Sequence, residues 1–120
     1  MLTLPPAVRI ILSLLPTDMR RSFDGLAALV ESVCRADPFS GHLFVFSNKR
    51  HDRVKILYWD HDGYVIWYKR LEEGRFRFPT TARDGTLEMR ADELGAMLAG
   101  IDLSLAKRSP RYQRPTAKSF

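Results

Sequence analysis

The sequence predicts an α+β fold: an antiparallel sheet of about four to six strands with two helices on one face, in the order β-α-β-β-β-(β)-(β)-α. Three observations lead there. Three apolar runs, at 42–48, 53–60 and 64–71, read as successive strands, and their connections are short enough to force antiparallel neighbours. Apolar residues recur at spacings of three and four over 22–34 and again over 92–99, the period of a helix with one buried face. A chain of 120 residues is long enough for one core and short enough to need only one.

Each element follows from its residues. Val8, Ile10, Leu12 and Leu14 alternate with Arg9, Ile11, Ser13 and Leu15, which reads as a first strand mostly buried on both faces. Pro5-Pro6 precedes it and Pro16 ends it. The helix from Ser22 to Cys34 carries the stripe Phe23, Leu26, Ala27, Val30, Val33 and Cys34. Ser22 suits the N-cap, Asp24 the positive end of the dipole, and Gly25 a close approach to another backbone. Asp37-Pro38-Phe39-Ser40-Gly41 turns the chain into the first strand of the three. Asp62-Gly63, with its preference for positive backbone angles, closes the hairpin between 53–60 and 64–71. Arg75-Phe76-Arg77-Phe78 reads as a further short strand stopped by Pro79, residues 80–85 as a loop, and Thr86–Met89 as a last strand. In the second helix Leu94, Met97, Leu98 and Ile101 face inward, and Gly100 is the stop. Residues 1–103 form the expected domain, and 104–120 a flexible basic tail.

Composition removes several classes. A single cysteine, Cys34, forbids an internal disulfide and a cysteine-based zinc site, and fits a reducing cytoplasm. Its place on the helical stripe makes it a small buried hydrophobe rather than a nucleophile. The longest apolar run, Ile10 to Leu15 with Ser13 inside it, is far short of the roughly 20 residues of a spanning helix. It has no preceding positive cluster and no cleavage site, so it is not read as a secretory signal, and no membrane partner is expected.

The net charge of +5 is unevenly placed. Lys107, Arg108, Arg111, Arg114 and Lys118 lie in 104–120 with no acid, which leaves 14 basic and 14 acidic residues in 1–103. The tail therefore reads either as a solvated terminus or as an arm that neutralises phosphates, with Tyr112 among the arginines available for stacking. The neutral body still has basic clusters: Arg20-Arg21, then Lys49, Arg50 and Arg53 around His51, then Lys69, Arg70, Arg75 and Arg77. Each is either an ordinary solvated loop or part of a nucleic-acid face. Tyr58, Trp59, Tyr64, Trp67 and Tyr68 crowd two adjacent strands. Because side chains alternate, they cannot all enter one core. They read either as core and cross-strand aromatic pairs or as a stacking platform for bases, and the surplus face is covered by the helices, by a second protomer or other protein, or by a ligand.

No catalytic constellation is framed. Asp60, His61 and Asp62 share a hairpin tip and resemble metal ligands in type. Adjacent turn residues point apart, however, and Asp-Gly already has a structural reason to be there. His51-Asp52 has the same weakness, and His42 reads as a turn-edge histidine. There is no glycine-rich phosphate loop and no nucleophile motif. No catalytic residue, metal or cofactor is expected.

As a string, the chain resembles a known family. Thr17-Asp18-Met19-Arg20-Arg21-Ser22-Phe23-Asp24-Gly25-Leu26-Ala27 leads into Asp37-Pro38-Phe39-Ser40-Gly41, His42-Leu43-Phe44-Val45-Phe46 and Asn48-Lys49-Arg50-His51-Asp52-Arg53. Val54 to Leu71, Gly74-Arg75-Phe76, Pro79, Gly100-Ile101-Asp102 and Arg114-Pro115 continue the pattern. In this order they resemble the small accessory proteins, often called TnpB, of insertion sequences of the sixty-six type. The unrelated, much longer RNA-guided nucleases of the same short name share none of this. The resemblance implies a bacterial cytoplasmic protein tied to transposition. The element's transposase is then a separate, longer partner, and DNA a possible one. The resemblance brings no catalytic residues. The residues of Thr17 to Arg21 themselves read either as a local turn, with Asp18 satisfying backbone amides, or as a functional segment, with Arg20 and Arg21 on DNA phosphate or on a transposase acid.

Overall fold

The computed structural model describes residues 7–78 and 85–100. Within them run β1 (Ile10–Ser13), α1 (Phe23–Ser32), β2 (Leu43–Ser47), β3 (Arg53–Asp60), β4 (Gly63–Arg70), β5 (Thr86–Met89) and α2 (Ala91–Leu98). The strands form one sheet in the order β4-β3-β2-β1-β5. Among the described residues no helix is long and apolar enough to cross a membrane.

The sheet is mixed rather than purely antiparallel. β2–β3, β3–β4 and β1–β5 pair antiparallel, but β1 and β2 pair parallel, Ile10 opposite Leu43 and Leu12 opposite Val45. The physical reason is α1: a helix inserted between two strands returns the chain to the end where it began.

The helices cover opposite faces, which corrects the expectation of both helices on one face. Every residue of β2 is buried, Leu43 through Ser47. Leu43 and Val45 join Ile10, Leu12, Val54 and Ile56, and are capped by Phe76 and by Leu94 and Met97 of α2. Phe44 and Phe46 point the other way, onto Leu57 and onto Leu26 and Val30 of α1. A strand clothed on both sides is one continuous apolar run, as Leu43-Phe44-Val45-Phe46 is.

Local details follow the sequence with four adjustments. The expected antiparallel hairpin of β3 and β4 forms, with Arg53 opposite Arg70 through Asp60 opposite Gly63. Its positive backbone angle falls on His61 (φ 60°) rather than on Gly63, which already opens β4. Ser22 occupies the N-cap without a side-chain cap bond, while its carbonyl accepts from the Leu26 N–H at 2.8 Å. A Cβ on Gly25 would meet the Arg21 side chain at 3.2 Å, so the close neighbour there is a side chain, not a second backbone. Residues 75–78 are not a strand: Phe76 plugs the α2-side core and its N–H donates to the His51 carbonyl at 2.7 Å. Gly100 ends α2 at φ 85°, as a stop glycine should. Cys34 is half-buried beside the α1-side core, and burial pushes its thiol up to about 11, so it stays protonated at neutral pH. Ile101, residues 80–84 and the tail lie outside the described residues.

Candidate functional site

The parallel pair sets the geometry. The carboxyl ends of β1 and β2, at Ser13 and Ser47, point the same way, so the segments leaving them run side by side. The Thr17 N–H donates to the Ser47 carbonyl at 2.8 Å and joins them. Between the two segments opens a cleft of about 460 Å³, lined by Thr17, Asp18, Met19, Arg20, Asn48, Lys49, Arg50, Asp52 and Arg53.

One wall is the β2–β3 turn, built around Asn48. Its Oδ1 accepts from the backbone N–H of Asp52 and of Arg53, both at 3.1 Å, and its Nδ2 donates to the Asp52 carboxylate at 2.6 Å. That bond is the main reason the Asp52 carboxyl sits below the usual carboxylate range. His51 adopts a left-handed backbone (φ 61°) and turns inward, Nδ1 2.9 Å from Ser47 Oγ and the ring against Phe78. Burial, aided by Arg75, lowers its pKa and favours the neutral ring. With His51 and Asn48 turned in, Lys49 and Arg50 are left exposed on the turn.

The other wall is the connection from β1 to α1. Asp18 accepts the Arg20 backbone N–H at 2.9 Å and grips its guanidinium, Nη2 to Oδ2 at 2.7 Å and Nε to both oxygens at 3.1 Å. The Arg20 bond holds the Asp18 carboxyl down at about 2. Lys55, buried in β3, donates to the Arg21 carbonyl at 2.8 Å and lies 4.7 Å from the Tyr68 ring centre. It thereby ties the Arg20-Arg21 segment to the strand that carries Arg53.

Arg20, Lys49, Arg50 and Arg53 therefore converge from two separated stretches, against Asp18 and Asp52. A body that is formally neutral has a local surplus here. Arg21 lies beside the cleft without lining it, its side chain against Gly25. Lys107, Arg108, Arg111 and Arg114 lie outside the described residues. The Leu98 carbonyl accepts from Lys69 at 3.3 Å, so α2 ends beside the terminus of β4 whose Arg70 is paired with Arg53. The chain thus leaves α2 at the same end of the sheet as the cleft.

The aromatics divide. Tyr58 and Trp67 pack on the α2-side core, while Tyr64 packs toward α1 with Trp59 against it. Phe39 lies edge-on to Trp59 (5.0 Å) and stacks on Tyr64 (5.6 Å), while remaining 57% exposed. This trio caps the end of the β3–β4 ribbon far from the cleft. Tyr68, also exposed, stands at the cleft end, its hydroxyl 3.4 Å from Arg53 Nη1. Sequence reasoning missed Asn48, Lys55 and Phe39. Asn48 has a recognisable turn chemistry, and Phe39 sat inside what read only as a turn. Asp60, His61 and Asp62 are exposed, and among the described residues no three of His, Cys, Asp and Glu are grouped to hold a metal ion.

Residues 8–108 match the family described as IS66 Orf2 like protein. The uncharacterised protein y4jC of Sinorhizobium fredii is 44% identical over 109 residues, covering 91% of this chain and 92% of that protein. The uncharacterised protein y4hO of the same organism is 37% identical over 86 residues, covering 72% and 74%. No solved structure matches. The chain belongs to the IS66 Orf2-like family, accessory proteins of insertion-sequence transposition.

Proposed function

We propose that this chain is a non-enzymatic accessory protein that binds DNA through its backbone phosphates and works in the bacterial cytoplasm with the transposase of the same element. The observation that carries the reading is the convergence of Arg20 with Lys49, Arg50 and Arg53 in one open cleft. Separated by sequence, these residues are ordinary solvated charges. Together they give a neutral body a positive face. Arginine forks suit phosphate oxygens, and an open groove suits a polymer better than an enclosed small ligand. Backbone contact of this kind gives affinity and register rather than sequence choice.

A DNA shift at two salt concentrations tests it. Replacing Lys49, Arg50 and Arg53 together with Ala removes up to three phosphate contacts, worth about 2.7 in the slope of log affinity against log salt. Between about 50 and 200 mM salt the native protein should then lose about 40-fold more affinity than the variant. An unchanged slope removes the turn from the interface. If the native full-length protein shifts no DNA even at low salt, the reading fails. The trio of exposed Phe39 with half-buried Trp59 and Tyr64, a protein-contact surface in character, then makes transposase binding the better account.

The non-enzymatic part has its own test. Purified protein incubated with Mg²⁺ or Mn²⁺ and element-end DNA should leave the DNA intact, since among the described residues no nucleophile, base and stabiliser stand together. Cleavage lost in Asp60→Ala or Asp62→Ala would reverse the assignment.

A further inference from the structure

We infer that the Asp18 carboxylate occupies the position of a DNA phosphate in the unbound protein, and that binding exchanges it: the Arg20 fork leaves Asp18 and takes a backbone phosphate in its place. This rests on the DNA-binding reading above.

The geometry points to it in three ways. The Arg20 fork is already arranged for a two-oxygen anion, with Nε and Nη2 both engaged on one carboxylate at 2.7 to 3.1 Å. Phosphate and carboxylate present matching oxygen pairs to this fork. The pair also lies at the surface: the Arg20 side chain is 91% exposed, so a phosphate can reach it without rearranging the core. Exposed ion pairs of this kind are weak, and exchange is therefore cheap. Finally, the backbone beneath the pair is held independently. Lys55 grips the Arg21 carbonyl, and the Arg21 N–H donates to the Asp18 carbonyl at 3.1 Å, so the loop keeps its shape when the guanidinium swings away.

The consequence is that Asp18 restrains the cleft. It competes for the best arginine and repels the incoming phosphate. Asp52 lines the same cleft, but its carboxylate is engaged by Asn48 rather than by an arginine, and it serves as the internal control. No bond is made or broken covalently; one ion pair replaces another.

Fluorescence anisotropy with a mixed-sequence DNA duplex tests the exchange in the full chain, using Asp18→Asn, Arg20→Ala, their combination, and Asp52→Asn in both backgrounds. Asp18→Asn keeps an oxygen for the Arg20 N–H and should tighten binding about three- to tenfold, whereas in the Arg20→Ala background the same change should give about twofold or less. Asp52→Asn should have the same effect with or without Arg20. Equal gains from Asp18→Asn in both backgrounds would mean general charge removal, and the exchange would be wrong. No gain at all would also overturn it. If Asp18→Asn lowers Tm, Asp18→Ser supplies the same comparison, because its hydroxyl also accepts from the local amide. A native protein that binds no duplex sinks the DNA reading itself. That result differs from binding without Asp18–Arg20 coupling, which sinks the exchange alone.

Discussion

Val30→Asp is expected to leave the chain without a cooperative folding transition. Val30 is fully buried on the inner stripe of α1, with Leu26 before it and Phe44, Phe46 and Leu57 in the same cluster. Valine and aspartate are close in size, so the change adds a charge without adding bulk. None of the fully buried members of that cluster, all hydrocarbon side chains, can pair with it. An unpaired buried carboxylate costs several kcal/mol, and the whole domain has about 5–15 kcal/mol of stability. The loss does not stop at one residue, because Leu26 and Val30 of α1 together cover Phe44, Phe46 and Leu57 of the sheet. The penalty falls on the charged form, which raises the carboxyl pKa in any folded state. Whatever stability survives should therefore be greater below about pH 4, where the group is protonated in both states, than at pH 7. Ala28→Asp, two residues earlier on the exposed side of α1, is the control and should shift stability by about 0.5 kcal/mol or less. A native-like Tm for Val30→Asp would show that α1 does not sit on Phe44 and Leu57 as described.

That prediction rests on an element that was legible in the sequence, and its legibility has a clear cause. The α1 stripe and the β3–β4 hairpin depend on periodicity within 10 to 18 residues, which a single sequence records directly. The parallel pairing of β1 and β2 depends on where a helix returns the chain, and no local pattern records it. One clue was available. Leu43-Phe44-Val45-Phe46 has no polar alternation, and such a run belongs to a strand covered on both sides. Taken at its word, it places the two helices on opposite faces. Arg75-Phe76-Arg77-Phe78 misled for the converse reason. Four residues of alternation also arise when one phenylalanine fills a core and the next rests on His51.

The cleft was legible only in pieces. Arg20 and the Lys49-Arg50-Arg53 turn were each readable as basic, but their meeting requires the parallel pair that local pattern does not encode. Asn48 and Lys55 act through bonds to backbone, one shaping the turn and the other holding the Arg21 carbonyl. Residues that work through the main chain leave little trace in composition. Hydrophobic period finds the core readily. A charged cleft assembled from two loops needs the topology first.

Deleting residues 104–120 is expected to have the largest effect on DNA binding. The segment holds five basic residues and no acid, against a body that is formally neutral. If it acts as a phosphate-neutralising arm, each full contact contributes about 0.9 to the slope of log affinity against log salt, and the deletion should lower that slope by up to about 4. The loss should be similar for element-end and random duplexes, because phosphate contacts carry no sequence information. Two features of the folded body support the arm. α2 ends beside Lys69, at the end of the sheet where Arg53 and Arg70 pair, and this is also the end that holds the cleft. The cleft itself supplies Arg20, Lys49, Arg50 and Arg53, which should give the truncated protein its remaining, weaker binding. The turn variant and the truncation should therefore add in the slope, since the two sets of contacts are distinct. Unchanged affinity and slope after truncation would make the tail a spectator and leave the cleft to bind alone. Complete loss of binding after truncation would instead make the cleft the spectator, because four converging cations would then be contributing nothing that a polyanion can feel.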